Sequence, residues 1–276
     1  MTIYKKKIIL ITGDEIRHNY FYQMLFKDQR FEIVKCYAEE GSNSLEVRTF
    51  SNTESSDIEK KHVLDRKNSE IEYFSKYIDI DSFNNPVFKK IPLKAINNSD
   101  VIDEIIQIKP DILACYGSSL INSNLLNIFE GKFLNVHLGL SPYYRGSGTN
   151  IWPLINNQVD MVGLTFMYID AGIDTGEIIH QVRADIFAGD TPHMIGNRLI
   201  KKMTIIYSDI IANLANLKTM KQPKNIENFL YKKKDFNQEA CEKLYKNFSN
   251  QMIDKYLQNY SEKDLPFIVQ NPLINN

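Results

Sequence analysis

Short runs of consecutive apolar residues alternate along this chain with helix-length amphipathic segments, and that alternation is what most constrains its fold. Residues 7–12 end in Ile8, Ile9, Leu10, Ile11 and Thr12 and read as a buried strand that leaves through a tight turn at Gly13. A helix is expected over 17–26 and a second strand over 31–37. Further along, helical spacing at 101–109 stops at Pro110, 111–116 reads as a strand, 122–129 as a helix and 133–137 as a strand. Strands that are apolar throughout, separated by helices, predict an α/β fold with a doubly wound, mostly parallel sheet. Ligands of such sheets bind outside the carboxyl ends of the strands.

The remaining segments are less regular. Residues 41–61 are polar and lack a clean period, so a long loop or insertion is expected there. A helical pattern follows at 69–78. Thr191-Pro192 reads as an N-cap followed by proline at the first helical position. From there Ile195, Leu199, Met203, Ile206, Ile210 and Leu214 form the apolar stripe of a long helix. Composition changes after Leu217. Residues 218–234 are lysine-rich and irregular, 237–257 read as one helix with Leu244, Phe248 and Tyr256 inward, and 266–276 as an extended tail. The expected division is a catalytic domain, 1–217, and a small, mainly helical C-terminal appendix, 218–276, whose helix offers a surface for a homodimer.

A chain of 276 residues with 43% hydrophobic content supports a sizeable core. A net charge of −1 gives no global reason to bind nucleic acid or an anionic membrane. Lys232, Lys233 and Lys234 read as a solvated charge run. The three cysteines, Cys36, Cys115 and Cys241, are too scattered for a disulfide framework or a metal site, and no metal is expected. The apolar run near the N-terminus is too short for a signal peptide, and no run approaches the ~20 residues of a membrane span. A cytoplasmic protein is expected.

Chemistry concentrates in residues 133–176. Asn135 and His137 are two apart at the end of a strand, so they project to one face. Asp174 leaves a later strand in a turn flanked by Gly172 and Gly176. An amide, an imidazole and a carboxylate at strand ends suit acyl transfer: an oxyanion donor, a proton carrier and an orienting charge. His137 alone among five histidines has such a setting. His18 reads as a substrate contact or a surface residue, and His62, His180 and His193 as structural or surface residues. Trp152, Phe166 and Tyr168 read as core. Gly-x-Ser-x-Gly is absent, against a serine hydrolase.

Asn135-x-His137, then Leu140-Ser141-Pro142-Tyr143-Tyr144-Arg145-Gly146, then Asp170-Ala171-Gly172-Ile173-Asp174-Thr175-Gly176, resemble the signature of the folate-dependent formyltransferases. That pattern runs N-x-H-x-S-L-L-P-x-x-x-G followed by D-x-G-x-D-T-G. Gly139 stands where the family often has Ser, and Ser141 where it often has Leu. The resemblance implies a Rossmann-like catalytic domain that moves a formyl group from 10-formyltetrahydrofolate, with Asn135, His137 and Asp174 catalytic. It places the folate near Tyr116, Gly117, Ser118, Leu120, Asp170 and Gly172, although Asp170 by itself reads as a loop former. A catalytic half plus a short appendix is most similar to the sugar N-formyltransferases, which act on nucleotide-linked amino sugars for surface polysaccharides. Arg145 and His18 are the substrate-contact candidates, with Arg145 or a tail lysine for the diphosphate. The alternatives are a methionyl-tRNA formyltransferase and a hydrolase of the formylfolate.

Overall fold

Ile8, Ile9, Leu10 and Ile11 are completely buried because their strand lies inside a sheet covered on both faces. Side chains alternate across a strand. Ile8 and Leu10 therefore enter one core, and Ile9 and Ile11 enter another on the opposite face. The structure, a computed structural model, describes residues 4–41, 45–223, 226–261 and 265–275. In chain order the elements are β1 (Lys7–Gly13), α1 (Ile16–Phe26), β2 (Glu32–Glu39), α2 (Leu45–Ser51), α3 (Asp57–Phe74), β3 (Phe88–Ile91), α4 (Ser99–Ile108), β4 (Ile112–Tyr116) and α5 (Ser123–Ile128). There follow β5 (Phe133–His137), β6 (Tyr144–Gly146), α6 (Trp152–Ile155), β7 (Gly163–Tyr168), β8 (Ile178–Arg183), α7 (Pro192–Asn213), β9 (Phe229–Tyr231), α8 (Gln238–Ser249) and α9 (Met252–Asn259).

Seven strands form one sheet in the order β3-β2-β1-β4-β5-β7-β8. The first five run parallel, and β7 and β8 are antiparallel to their neighbours. The larger core lies under α1 and α7, the smaller under α4 and α5. Helices on both faces make the sheet doubly wound, as the alternation in the sequence predicts. The chain proceeds outward from β1 to β3, then returns to β4 on the other side of β1. That reversal opens a crevice beyond the carboxyl ends of β1 and β4, where such sheets hold ligands.

Two expectations are corrected. Of the loop expected over 41–61, residues 45–51 form α2 and 57–61 open α3, which runs on into the helix expected from 69; residues 41 and 52–56 are non-helical, and 42–44 lie outside the described residues. Ser56 and Glu59 cap α3 reciprocally, with the Ser56 Oγ accepting from the Glu59 N–H and the Glu59 carboxylate from the Ser56 N–H. Helical periodicity is hidden because the buried residues of α3 are His62, Val63, Glu70 and Phe74, two of them polar. The helix expected over 237–257 is two, α8 and α9, broken where Gln251 takes a left-handed φ of 60°.

Residues 218–234 are not wholly irregular: β9 pairs in parallel with β6, and residues 224–225 lie outside the described residues. Tyr231 stacks on Trp152 at 3.9 Å between ring centroids. The tail is extended to Asn271, hydrogen-bonding to β8 through Gln181 and His180, and then turns, the Ile274 N–H donating to the Asn271 carbonyl; Asn276 lies outside the described residues, as do residues 1–3. Among the described residues no helix is long and apolar enough to cross a membrane.

Gly146 is where β6 meets β9. Its φ is 92°, and an added Cβ would lie 2.1 Å from the Tyr231 carbonyl oxygen. Gly189 has a comparable φ of 78° with nothing within 4 Å. Gly189→Ala is expected to cost about 1 kcal/mol of stability, the left-handed backbone term alone. Gly146→Ala is expected to cost clearly more, because the backbone of β9 must move. Denaturant unfolding of the two variants, compared with the parent, checks the difference.

Candidate active site

Asn135 and His137 lie on β5, with Asn135 opposite Met167 and His137 opposite Thr165 of β7. Asp174 lies in the loop from β7 to β8. Asp170 Oδ1 shapes that loop by accepting from the Gly172 N–H at 3.0 Å and the Thr175 hydroxyl at 2.7 Å. Asp174 itself takes a φ of 52°. Gln222, from the segment after α7, straps the loop by donating to the carbonyls of Asp174 and Gly176, each at 2.9 Å. The Asp174 carboxylate then meets His137 Nδ1 at 3.2 Å, and its Oδ2 accepts from the Gly146 N–H at 2.9 Å. Of the three residues singled out in the sequence, His137 and Asp174 meet, and Asn135 lines the same cavity two residues along the strand.

The neighbours of His137 define where its protons sit. Nε2 lies 2.9 Å from the Tyr144 carbonyl oxygen, which can only accept. Thr149 Oγ1 lies 3.1 Å from the same nitrogen and already donates to the Leu138 carbonyl at 2.8 Å. Nε2 therefore carries a proton, and the contact of Nδ1 with a carboxylate needs a second proton between them. The His137–Asp174 pair holds one exchangeable proton. Packing here leaves no space for a side chain at Gly139, whose added Cβ would lie 2.6 Å from His137 Nε2.

Both nitrogens of His137 are thus engaged. Among the described residues the Asn135 side-chain amide makes no hydrogen bond, and Asp174 Oδ1 has no partner. These two groups are free to meet a ligand. They line a cavity of about 1080 Å³ at the carboxyl ends of β1, β4 and β5.

Tyr116, Gly117, Ser118, Leu120, Asp170 and Gly172 all line this cavity. Leu120 is 74% exposed and presents an apolar face to it, whereas the Asp170 carboxylate is occupied with its own loop. His18 is buried, not a surface residue. Its Nδ1 accepts from the Glu15 N–H at 3.2 Å, its ring packs against Tyr116, and burial, reinforced by Arg17 and Arg66, holds it well below the usual imidazole range. Arg145 does not line the cavity; its guanidinium donates to Asn228 at 2.9 Å. Trp152 and Phe166 are core residues, and Tyr168 reaches the cavity edge. His62 and His193 are buried with ring centroids 4.8 Å apart and line the cavity. Burial pushes them down to about 3 and about 4, respectively. His180 is fully buried, accepting from the Asn271 N–H.

Sequence reasoning missed Thr149, which carries no motif signal apart from its neighbours. It also missed an ion network on α1 and α3. Arg17 donates to both Glu70 oxygens at 3.1 and 2.8 Å and pairs with Glu15, while Arg66 Nε meets Glu70 at 2.9 Å. Burial would raise the Glu70 carboxyl, but the two guanidiniums outweigh it and hold it at about 2. The Ser-x-x-Glu cap at Ser56 was the signal that α3 exists.

A family model described as formyl transferase matches residues 30–211. The chain is 32% identical over 144 residues to a methionyl-tRNA formyltransferase of Alkaliphilus oremlandii, covering 51% of this chain and 45% of that protein. It spans less than half the length of the curated relatives it matches. Among solved structures it is similar to a 4-N formyltransferase from Francisella tularensis, with 18% identity and a TM-score of 0.56 over 87% of this chain and 86% of that one. It is also similar to an N-formyltransferase from Helicobacter canadensis in complex with folinic acid and dTDP-3-aminofucose, with 20% identity and a TM-score of 0.54 over 87% and 79%. These two likenesses are of fold.

The Glu70 network makes stability depend on acid. Glu70 is depressed in the folded chain, so its contribution is full above the unfolded value of 4.5 and is lost as pH falls from about 5 toward 2. The shift corresponds to something on the order of 3 kcal/mol. Glu70→Gln is expected to destabilise the protein at pH 7, with the gap to the parent narrowing steadily by pH 3. Denaturant unfolding at several pH values checks this.

Proposed function

The chain belongs to the formyl transferase family, and we propose that its cavity transfers a formyl group from 10-formyltetrahydrofolate to the amine of a nucleotide-linked amino sugar. The observation that carries the transfer chemistry is the pairing of a free Asn135 amide with a free Asp174 Oδ1 around the engaged His137. The acceptor amine forms a bond to the formyl carbon, the bond from that carbon to the folate nitrogen breaks, and one proton passes from the amine to the departing nitrogen. Asn135 donates to the oxyanion that develops on the formyl oxygen. Asp174 receives the amine proton at Oδ1, and the His137–Asp174 pair supplies the proton needed by the leaving nitrogen.

The folate fits the β4 side of the cavity. Exposed Leu120 offers a surface for a flat ring, and the backbone of Gly117, Ser118 and the 170–174 loop supplies polar groups. Ser119 keeps this edge in place by donating from its N–H and hydroxyl to the buried Glu39 carboxylate at 2.6 and 2.8 Å. The Helicobacter canadensis relative, solved with folinic acid and an amino-sugar nucleotide, supports both ligand classes. On this reading residues 1–217 carry the chemistry, while residues 218–276 buttress it through Gln222 and β9. A role in surface polysaccharide synthesis and a cytoplasmic location follow from the acceptor.

Asp174→Asn and His137→Ala are expected to lose about 10²–10⁴-fold in turnover while remaining folded. Thr149→Val removes one Nε2 partner of His137 at constant shape. It is expected to lower kcat about fivefold, the worth of one hydrogen bond, and to shift the pH–rate profile, with Thr149→Ser restoring both. A fully active, folded Asp174→Asn protein would remove that carboxylate from the mechanism.

The named function of the curated relatives makes charged initiator tRNA the competing acceptor. A tRNA acceptor neutralises many phosphates and binds with a steep salt dependence, whereas a diphosphate gives a shallow one. Formylation of a panel of nucleotide-linked amino sugars, with a shallow salt dependence, is expected. Efficient, salt-sensitive formylation of the tRNA with no sugar accepted would overturn the acceptor.

A further inference from the structure

The cations around the cavity fall into two groups. Arg17 and Arg66 are neutralised by Glu15 and Glu70. Arg48 of α2, Lys94 of the turn after β3 and Lys233 of the turn after β9 line the same cavity. No ion pair among the described residues includes any of these three. They come from three segments far apart in sequence. Lys94 is held in place by a left-handed φ of 68°, unfavourable for a side chain of its kind. The Arg48 Nε is buried without a hydrogen-bond partner.

Three positive groups without a counter-charge repel one another. Lys233 is held below the usual lysine range by burial first, then by Arg48 and Lys94, and Arg48 is lowered by burial. A guanidinium donor lacking a partner, in a cavity that two further ammonium groups also line, suits an oxyanion with several acceptor atoms. Lys233 stands three residues before Phe236, whose ring packs on His62 of α3 at 5.0 Å. Arg48 lies on α2 and the turn of Lys233 packs on α3, so these two stand apart from the loop that carries Asp174, while Lys94 reaches the cavity from the turn after β3.

We propose that Arg48, Lys94 and Lys233 form a phosphate-binding lobe of the cavity that seats the diphosphate of the acceptor. The identity of the bearer rests on the acceptor assigned above. The lobe itself rests only on the unpaired cations. Lys233 thus lines the binding cavity, whereas Arg145 stands outside it, donating to Asn228 and keeping its own Nε buried without a partner.

The test measures binding of inorganic pyrophosphate and of UDP by calorimetry, for the parent, Lys94→Ala and the double variant Arg48→Ala/Lys233→Ala. Alongside, KM is measured for the amino-sugar nucleotide and for 10-formyltetrahydrofolate. The double variant is expected to bind both probes about 10- to 100-fold more weakly, the loss of two charge-assisted contacts, and to raise the acceptor KM alike. Lys94→Ala, an exposed change that leaves the core intact, gives a smaller loss in the same direction. The KM for the folate stays within about twofold of the parent. Unchanged pyrophosphate binding in both variants would overturn the lobe. A rise confined to the folate KM would overturn it as well, assigning the cations to the carboxylates of the folate tail. If the parent formylates no amino-sugar nucleotide yet loses pyrophosphate binding on substitution, the lobe stands and the acceptor assignment falls.

Discussion

The contact between His137 Nδ1 and Asp174 joins parts of the chain that fold for different reasons. His137 ends a strand in the interior of the sheet, where it pairs with Thr165 of β7 just beyond the ladder to β4, which ends at Asn135. Asp174 stands in a loop with a left-handed backbone, shaped from within by Asp170 and strapped from outside by Gln222. Gly146, which donates to the same carboxylate oxygen, is positioned by pairing with β9. One proton shared between imidazole and carboxylate thus draws on the sheet, the loop and the tail together. Small displacements of any of the three would separate charges that are largely shielded from water, where such interactions matter most.

The surrounding cavity is built with an electrostatic division. At α1 and α3, Arg17 and Arg66 pair with Glu15 and the buried Glu70, so that wall presents little net charge. Histidines 18, 62 and 193 are buried and held neutral, so the wall stays polar without adding positive charge near neutral pH. Among the described residues that line the cavity, the lysines and arginines outside any ion pair are Arg48, Lys94 and Lys233. A neutral, polar region next to a cationic one is what an acceptor with a sugar on one side and a diphosphate on the other requires.

The sheet was legible in the sequence because its strands are buried on both faces and read as unbroken apolar runs. The convergence of Asn135, His137 and Asp174 was legible too, since strand period places the first two and the glycines mark the turn that returns the third. What escaped reading was held together by polar contacts. Helix α3 buries His62 and Glu70, so its apolar stripe is too thin to show, although Ser56 and Glu59 announce its start. Thr149 acts through a distance of 3.1 Å to a ring twelve residues earlier, which no pattern encodes. Arg145 looked like a phosphate ligand by its place in a glycine-rich turn; in the fold its guanidinium donates to Asn228 and lies outside the cavity lining. Lys232, Lys233 and Lys234 are exposed, as a solvated run should be, and only the folded chain shows that Lys233 also lines the cavity with Arg48 and Lys94.

The central claim is that the free Asn135 amide and the free Asp174 oxygen serve transfer of a formyl group to an amine. The most direct measurement supplies 10-formyltetrahydrofolate labelled with an isotope at the formyl carbon, together with a nucleotide-linked amino sugar, and follows that carbon by NMR. The account predicts that the label appears in a sugar formamide, at a rate that collapses when Asn135 is replaced by Ala. Label released only as formate, whether or not an amine is present, would contradict it and identify a hydrolase.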